Sequence, residues 1–269
     1  MNEIHFRDAE SIADYEQCVE IQNRIWEIAV PAVELITIHR YGGVCIGAFD
    51  GDTMIGFVCG IVAREEDRVF HHSHMLAVVP EYRSRRIGET LKWKQRDRVL
   101  ELGLDFINWT YDPLQAPNAN LNINRLGVVI HQYYEDFYGD TGSRLHGGLP
   151  TDRFEAEWNL ESTRVHQARE GQLPAKPDWG TLPRVNATAG EGESMRCETI
   201  VFDRDDSELL VEVPPVITTI MERDADLALD WRLKTRQIFK AYFKRGYAVD
   251  GFHRAEGRAY YRITNPDAA

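Results

Sequence analysis

The stretch Leu76–Leu91 constrains this chain more than any other part of it. An apolar run ends at Val78-Val79-Pro80, and a run with helical spacing begins by Ile87; only Glu81-Tyr82-Arg83-Ser84-Arg85-Arg86 lies between. Proline cannot donate a ladder hydrogen bond, so the strand has to stop there. The result is a strand, a short polar turn and a helix start. A helix N-terminus offers unpaired N–H groups and a partial positive charge, which together suit a phosphate. Ser84 and Gly88 are small enough for the backbone to approach closely. Arg83, Arg85 and Arg86 can add charge-assisted hydrogen bonds.

The flanking residues set this turn in a mixed fold. Apolar spacing predicts a helix over 11–26, capped by Asp8 or Ser11, and a second over 32–40 ended by Gly42-Gly43. Val44–Phe49, the turn Asp50-Gly51-Asp52 and Thr53–Ala63 read as a β-hairpin. Val69–Val79 is a strand. Ile87–Leu102 is a helix with Ile87, Leu91, Val99 and Leu102 on one face and Gln95 interrupting the stripe. Asp105–Tyr111 is a strand, Asn118–Leu126 a short helix closed by Gly127, and Val128–Tyr134 and Phe154–Leu160 two further strands. This order predicts an α/β (α+β) fold for residues 1–165, with a largely antiparallel central sheet flanked by helices and at least one β-α-β unit. Glycine and proline break all periodicity over 166–194, which reads as a linker or long surface loop. Residues 195–269 read as strands at Met195–Phe202, Glu208–Val213 and Tyr247–Phe252 with a helix over 224–245, an α/β extension packed on the first domain.

Composition removes several function classes. A formal charge of −12 argues against a generic nucleic-acid binder. No apolar run approaches the roughly 18 residues that cross a bilayer, so no membrane partner is expected. The charged start lacks the apolar core of a signal peptide. The four cysteines, Cys18, Cys45, Cys59 and Cys197, include no CxxC pair and read as buried reduced thiols of a cytoplasmic protein. In His71-His72-Ser73-His74 strand alternation turns His71 away from the other two, and nothing nearby completes a ligand set, so no metal is expected.

Val78, Pro80, Tyr82, Arg83, Ile87 and Gly88 make Leu76–Leu91 resemble motif A of the GNAT superfamily of N-acyltransferases, Gln/Arg-x-x-Gly-x-Gly/Ala after a Val-x-Pro strand end. Arg86 stands where the middle glycine is usual, and its side chain has to point away from a pyrophosphate or onto it. Asn118–Gly127 looks like motif B. Together with Trp109–Gln115 and Gly148–Arg153 it resembles a longer, mostly unassigned branch, some of whose members resemble N-acyltransferases that occur with N-acylamino-acid racemases.

The resemblance implies an acyl-CoA lying where two parallel strands, 69–79 and 105–111, splay apart. Backbone groups near Met75, Ala77 and Val78 would hold the pantetheine amides and polarise the thioester. The turn Arg83, Ser84, Arg85, Arg86, Ile87, Gly88 would hold the pyrophosphate, and Asn118 would contact the pantetheine arm. An amine attacks the thioester directly, so a base is needed and an acid helps. His72 falls where the histone-modifying branch carries its carboxylate. Alternation puts His74 on the same face, and a water relay is the alternative to either. The family's acid, a motif B tyrosine, is replaced by Ile123, leaving Tyr133, Tyr134 or Tyr138 as hydroxyl donors.

The expected donor is acetyl-CoA, with succinyl-CoA open if His72, His74 or Arg125 supplies a cation. The expected acceptor is a small amine or amino acid, and a homodimer is open to the chain. Two other readings stand beside this one: a non-catalytic acyl-CoA-binding module, and a nucleotide-binding protein of another fold. The global acidity does not oppose a small anionic ligand, because over residues 83–98 Arg83, Arg85, Arg86, Lys92, Lys94, Arg96 and Arg98 face only Glu89 and Asp97.

Overall fold

The computed structural model describes residues 3–139, 148–173 and 179–268. By their contacts these form two compact units, one of residues 1–109 with 158–162, the other of 110–157 with 163–269. Both mix helices with largely antiparallel strands, so the α/β class holds, with seven α-helices among the described residues.

The first unit begins with a strand absent from the sequence reading, β1 (Ile4–Asp8), followed by α1 (Ile12–Trp26) and α2 (Ala32–Arg40). Ser11 caps α1: its hydroxyl accepts from the Asp14 amide, while the Asp14 carboxylate accepts from the Ser11 amide. Such a cap contributes about 1 kcal/mol. Asp14 is also held by Arg7 at 2.8 and 2.9 Å, which keeps its pKa well below the usual carboxylate range. Next come β2 (Val44–Asp50), β3 (Thr53–Glu65) and β4 (Arg68–Val78), then α3 (Ile87–Glu101) and β5 (Phe106–Tyr111). β1 to β4 pair antiparallel in sequence order, and β4 pairs parallel with β5.

The helices cover both faces of this sheet. Trp26 of α1 meets Phe57 edge-on at 6.4 Å on one face, and α3 lies on the other, where Gly88 looks onto Leu76 and Val78. Leu102, read as a member of the α3 stripe, is exposed instead, at the C-cap of that helix. Cys18, Cys45, Cys59 and Cys197 are all buried free thiols.

The second unit contains α4 (Ala116–Ala119), a π-helical turn (Asn120–Arg125), β6 (Val129–Tyr134), part of β7 (Arg153–Asn159), α5 (Thr163–Arg169), β8 (Asn186–Ala189), β9 (Arg196–Ile200) and β10 (Glu208–Val213). α6 (Ile217–Arg223), α7 (Ala225–Lys244), β11 (Ala248–Ala255) and β12 (Arg258–Thr264) complete it. Residues 166–194 are therefore not bare loop: they hold the end of α5, and β8, which pairs with β9. Residues 174–178 of that stretch lie outside the described set. Likewise α6 and β12 add to the three strands and one helix expected after residue 195.

The core of the second unit is aromatic. Phe154 touches Phe239 at 4.6 Å and Tyr261 at 5.5 Å. Beside it runs a layer of buried ion pairs: Asp112 takes both terminal nitrogens of Arg232, and Asp152 takes two nitrogens of Arg236 and the Tyr133 hydroxyl.

Candidate active site

β4 and β5 are paired at only two positions, His71 with Ile107 and His72 with Asn108. β4 nevertheless runs on to Val78, still paired with β3 through Met75, Leu76, Ala77 and Val78. Its β5-facing edge beyond His72 is thus outside the ladder, and backbone groups there keep their hydrogen-bonding capacity for something else.

A β-bulge marks the same place. Register shifts between Cys59 opposite Met75 and Gly60 opposite Ser73, leaving His74 as the extra residue. The side chains record the shift. His71 and Ser73 reach toward α3, and after the bulge so do Leu76 and Val78. Bulges of this kind re-aim side chains beside functional sites. The rings of His72 and His74 lie 6.3 Å apart. His72 is half-buried, and its Nδ1 lies 2.8 Å from Asn108 Oδ1. His74 is exposed; desolvation by its surroundings, and then the charge of His72, hold its pKa below the ordinary histidine value.

Behind the strand sits a buried polar cluster. Gln95, the residue that interrupts the α3 stripe, donates to His71 Nε2 at 3.1 Å and accepts from Ser73 Oγ and Lys92 Nζ, both at 2.9 Å. Lys92 also donates to Ser73 Oγ and lies 3.6 Å from the centre of the Trp109 ring. Among the described residues no carboxylate joins this cluster, and burial pushes Lys92 well below the ordinary lysine value and His71 down to about 3.

Beyond β4, Pro80–Tyr82 forms a 3-10 turn, pinned by the Tyr82 hydroxyl donating to Asp50 at 2.7 Å. Ser84 and Arg86 both take the left-handed conformation, at φ 66° and 59°. Each costs about 1 kcal/mol relative to glycine, and together they gather the N–H groups of the turn into the kind of concavity that receives an anion. Arg86 is the N-cap of α3 and gives it no side-chain cap, so the first N–H groups of the helix keep no intrahelical partner. The Arg86 guanidinium is turned onto Glu89 at 2.9 and 2.6 Å. Gly88 would accept a methyl group at ordinary contact distance, 3.8 Å from Leu76 and Val78.

The basic count of this segment overstates the charge facing a ligand. Lys92 and Arg96 are buried, Arg96 on the Leu160 carbonyl, and Arg98 is paired with Asp8 and Glu101.

Residues 10–121 match the family described as "Acetyltransferase (GNAT) family". The segment is a GNAT acetyltransferase domain. Solved structures similar to the chain include the ribosomal-protein-S18-alanine N-acetyltransferase of Escherichia coli, at 14% identity over 60% of this chain and 96% of that one, with a TM-score of 0.49. The yncA protein of Salmonella typhimurium with acetyl-CoA is 17% identical over 60% and 97%, TM-score 0.49. NAA60 of Arabidopsis thaliana with acetyl-CoA is 17% identical over 58% and 99%, TM-score 0.48. No curated protein matches the chain.

The GNAT assignment gives meaning to the remaining residues. In the first unit the structure gathers His72, His74 and the edge Met75, Ala77, Val78, followed by the turn Arg83 to Gly88. Asn118 and Tyr138 belong to the second unit. Asn118 is exposed on α4, its amide donating to the Gln115 carbonyl. Ile123, at the GNAT motif B acid position, is fully buried core. Of the three tyrosines, Tyr133 donates to the buried Asp152 and Tyr134 to Glu155. Burial and then the Asp152 charge push Tyr133 far above the usual phenol range. The Tyr138 hydroxyl shares a hydrogen bond with Thr110 Oγ1 at 3.0 Å, and the Arg153 guanidinium lies over its ring at 5.2 Å.

Sequence reasoning missed Asn108 and the Lys92–Gln95 cluster. The polar Gln95 and Lys92 within an otherwise apolar helix face were the available signal. Among the described residues no group of three or more His, Cys, Asp or Glu side chains converges as a metal site, and no helix is long and apolar enough to cross a membrane.

Proposed function

We propose that the protein is an acyl-CoA-dependent N-acyltransferase that moves an acyl group, acetyl by default, to the amine of a small molecule or amino acid by direct attack. What carries this reading is the abrupt end of β4–β5 pairing at His72 and Asn108, followed on β4 by an unpaired edge and an uncapped helix start. The edge at Met75, Ala77 and Val78 suits the amides of a pantetheine arm. The turn at Ser84–Gly88 suits a pyrophosphate. A carbonyl polarised by a backbone N–H accumulates negative charge more easily as the tetrahedral intermediate forms.

In the proposed step the acceptor ammonium first loses a proton to His72. The neutral nitrogen then forms the C–N bond, and the C–S bond breaks with its electron pair leaving on sulfur. The nitrogen gives up its second proton as the intermediate collapses, and the thiolate takes up one proton through water, so that a neutral amide and a neutral thiol leave and one proton goes to solvent. The amino-acid acceptor is supported by the resemblance to the racemase-associated branch. Succinyl remains an alternative donor.

The test is a thiol-release assay with acetyl-CoA and succinyl-CoA across a panel of amino acids and amines. Turnover with one donor and a defined group of acceptors is expected. A second reading, a non-catalytic acyl-CoA-binding module, is favoured by the burial of Ile123 where the family carries its acid. It would be chosen if either thioester raised the melting temperature and no acceptor released thiol. If neither thioester raised it, both readings would fall.

A further inference from the structure

We infer that Asn108 is a positioning residue that fixes the protonation form of His72. This rests on the reading of His72 as the base. His72 and Asn108 are Cα partners in the last rung before β4 and β5 part, so both side chains project from the same side of that rung. His72 Nδ1 and Asn108 Oδ1 are 2.8 Å apart. An amide oxygen only accepts, so Nδ1 carries the proton and donates it. The neutral ring therefore keeps its lone pair on Nε2, the nitrogen farther from the strand backbone. Asn108 is itself 7% exposed, which locks the acceptor in place.

Among the described residues, the groups packed around His72 offer no rival for that proton. On β4, His74 lies 6.3 Å away ring to ring. Ile61 of β3 is the antiparallel partner of His72 and is apolar. His71 is engaged on the opposite face with Gln95, and the buried Lys92 lies in that same cluster on α3.

The chemical consequence is specific. A base that must take a proton from an ammonium needs its free lone pair at the end of the ring away from the strand. A histidine protonated on Nε2 would present a donor there and could not act. When Nε2 accepts the proton, the Nδ1–H bond to Asn108 persists and the imidazolium stays oriented. The proton then passes to solvent or to the leaving thiolate, and the ring returns to the same form.

The test joins a direct measurement with kinetics. In protein labelled with 15N at its histidines, the His72 spectrum should show a protonated Nδ1 and an unprotonated Nε2 in the neutral ring. Asn108→Leu should move the ring toward the Nε2–H form and lower kcat by about 10-fold or more, with the acyl-CoA thermal shift unchanged as a check on folding. Asn108→Asp, which restores an acceptor and adds a charge, should recover turnover and move the acid limb of the pH profile upward by about one unit.

A wild-type His72 protonated on Nε2 would overturn the inference. So would an unaltered kcat and pH profile in Asn108→Leu while His72→Ala loses turnover. If His72→Ala itself keeps full turnover with an unchanged pH profile, the reading of His72 as the base fails first, which separates the two.

Discussion

Replacing Lys92 by methionine should stabilise the protein at neutral pH, and the gain should disappear as the solution becomes alkaline. Lys92 is 2% exposed, has no carboxylate partner, and donates to Ser73 and Gln95. Burial lowers its pKa well below the ordinary lysine value, so between the folded and unfolded values the folded chain holds less of that proton than the unfolded chain does. The folded state then binds fewer protons than the unfolded state, and stability must rise with pH up to the ordinary lysine value near 10.4. One proton corresponds to at most about 1.4 kcal/mol per pH unit, so the wild type should gain on Lys92→Met as the pH rises from 7 to 9.

At pH 7 exchanging a buried ionisable group for an apolar one of similar volume stabilises by roughly 1–4 kcal/mol. Two hydrogen bonds worth about 1 kcal/mol each are lost against that. The balance spans about −1 to +2 kcal/mol, so a gain of about 0.5 kcal/mol is expected, or roughly 1–2 °C in Tm. Urea denaturation of both proteins at pH 7, 8 and 9, followed by the fluorescence of Trp109 and Trp158 beside Lys92, measures the difference. A difference independent of pH would refute the reasoning. So would a variant less stable by more than about 2 kcal/mol at pH 7, since Lys92 would then be a charged group held by the two rings.

Arg86→Gly relieves a left-handed residue but strips Glu89 of its partner at the helix start, so affinity for CoA should fall several-fold, and Arg86→Gly with Glu89→Gln should restore it; isothermal titration decides, and unchanged affinity in the single variant would remove Arg86 from the site. Gly60→Ala would place a methyl carbon 2.3 Å from His71 Nε2 and 2.6 Å from the His72 carbonyl oxygen. It should cost about 1–3 kcal/mol and lower kcat through displacement of His72, whereas wild-type turnover would show that the bulge gives way freely. Asp152→Ala leaves the Tyr133 hydroxyl without its acceptor and Arg236 with Glu135 alone, and should destabilise by about 1–3 kcal/mol in a denaturant melt; a loss under about 0.5 kcal/mol would mean that this ion pair is dispensable.

Much of the element order was legible because glycine, proline and the two periodicities mark it. β1 escaped notice because only Ile4 and Phe6 are apolar in a five-residue edge strand. α5 and α6 have seven residues each, too few for a helical repeat to stand out. At the candidate site, the turn between β4 and α3 was legible from Pro80, Arg83 and Gly88, since those residues act through local backbone chemistry. The bulge at His74, the left-handed Ser84 and Arg86, and the use of Gln95 depend on what lies opposite in space. So does Asn108, which reads as one more polar residue in a strand until its register with His72 is known.

The bulge has a consequence for how the site can change. It is a phase shift inside a single strand. Residues before it follow one alternation, and residues after it follow the opposite one. A regular strand would tie the orientation of His72 to that of Met75 and Ala77, so that any slip acceptable to one would misplace the other. With His74 absorbing the offset, the segment proposed to handle the proton and the segment proposed to hold the donor need not share one alternation. Each can be substituted without re-aiming its neighbour, and deletion of the single residue His74 would couple them again.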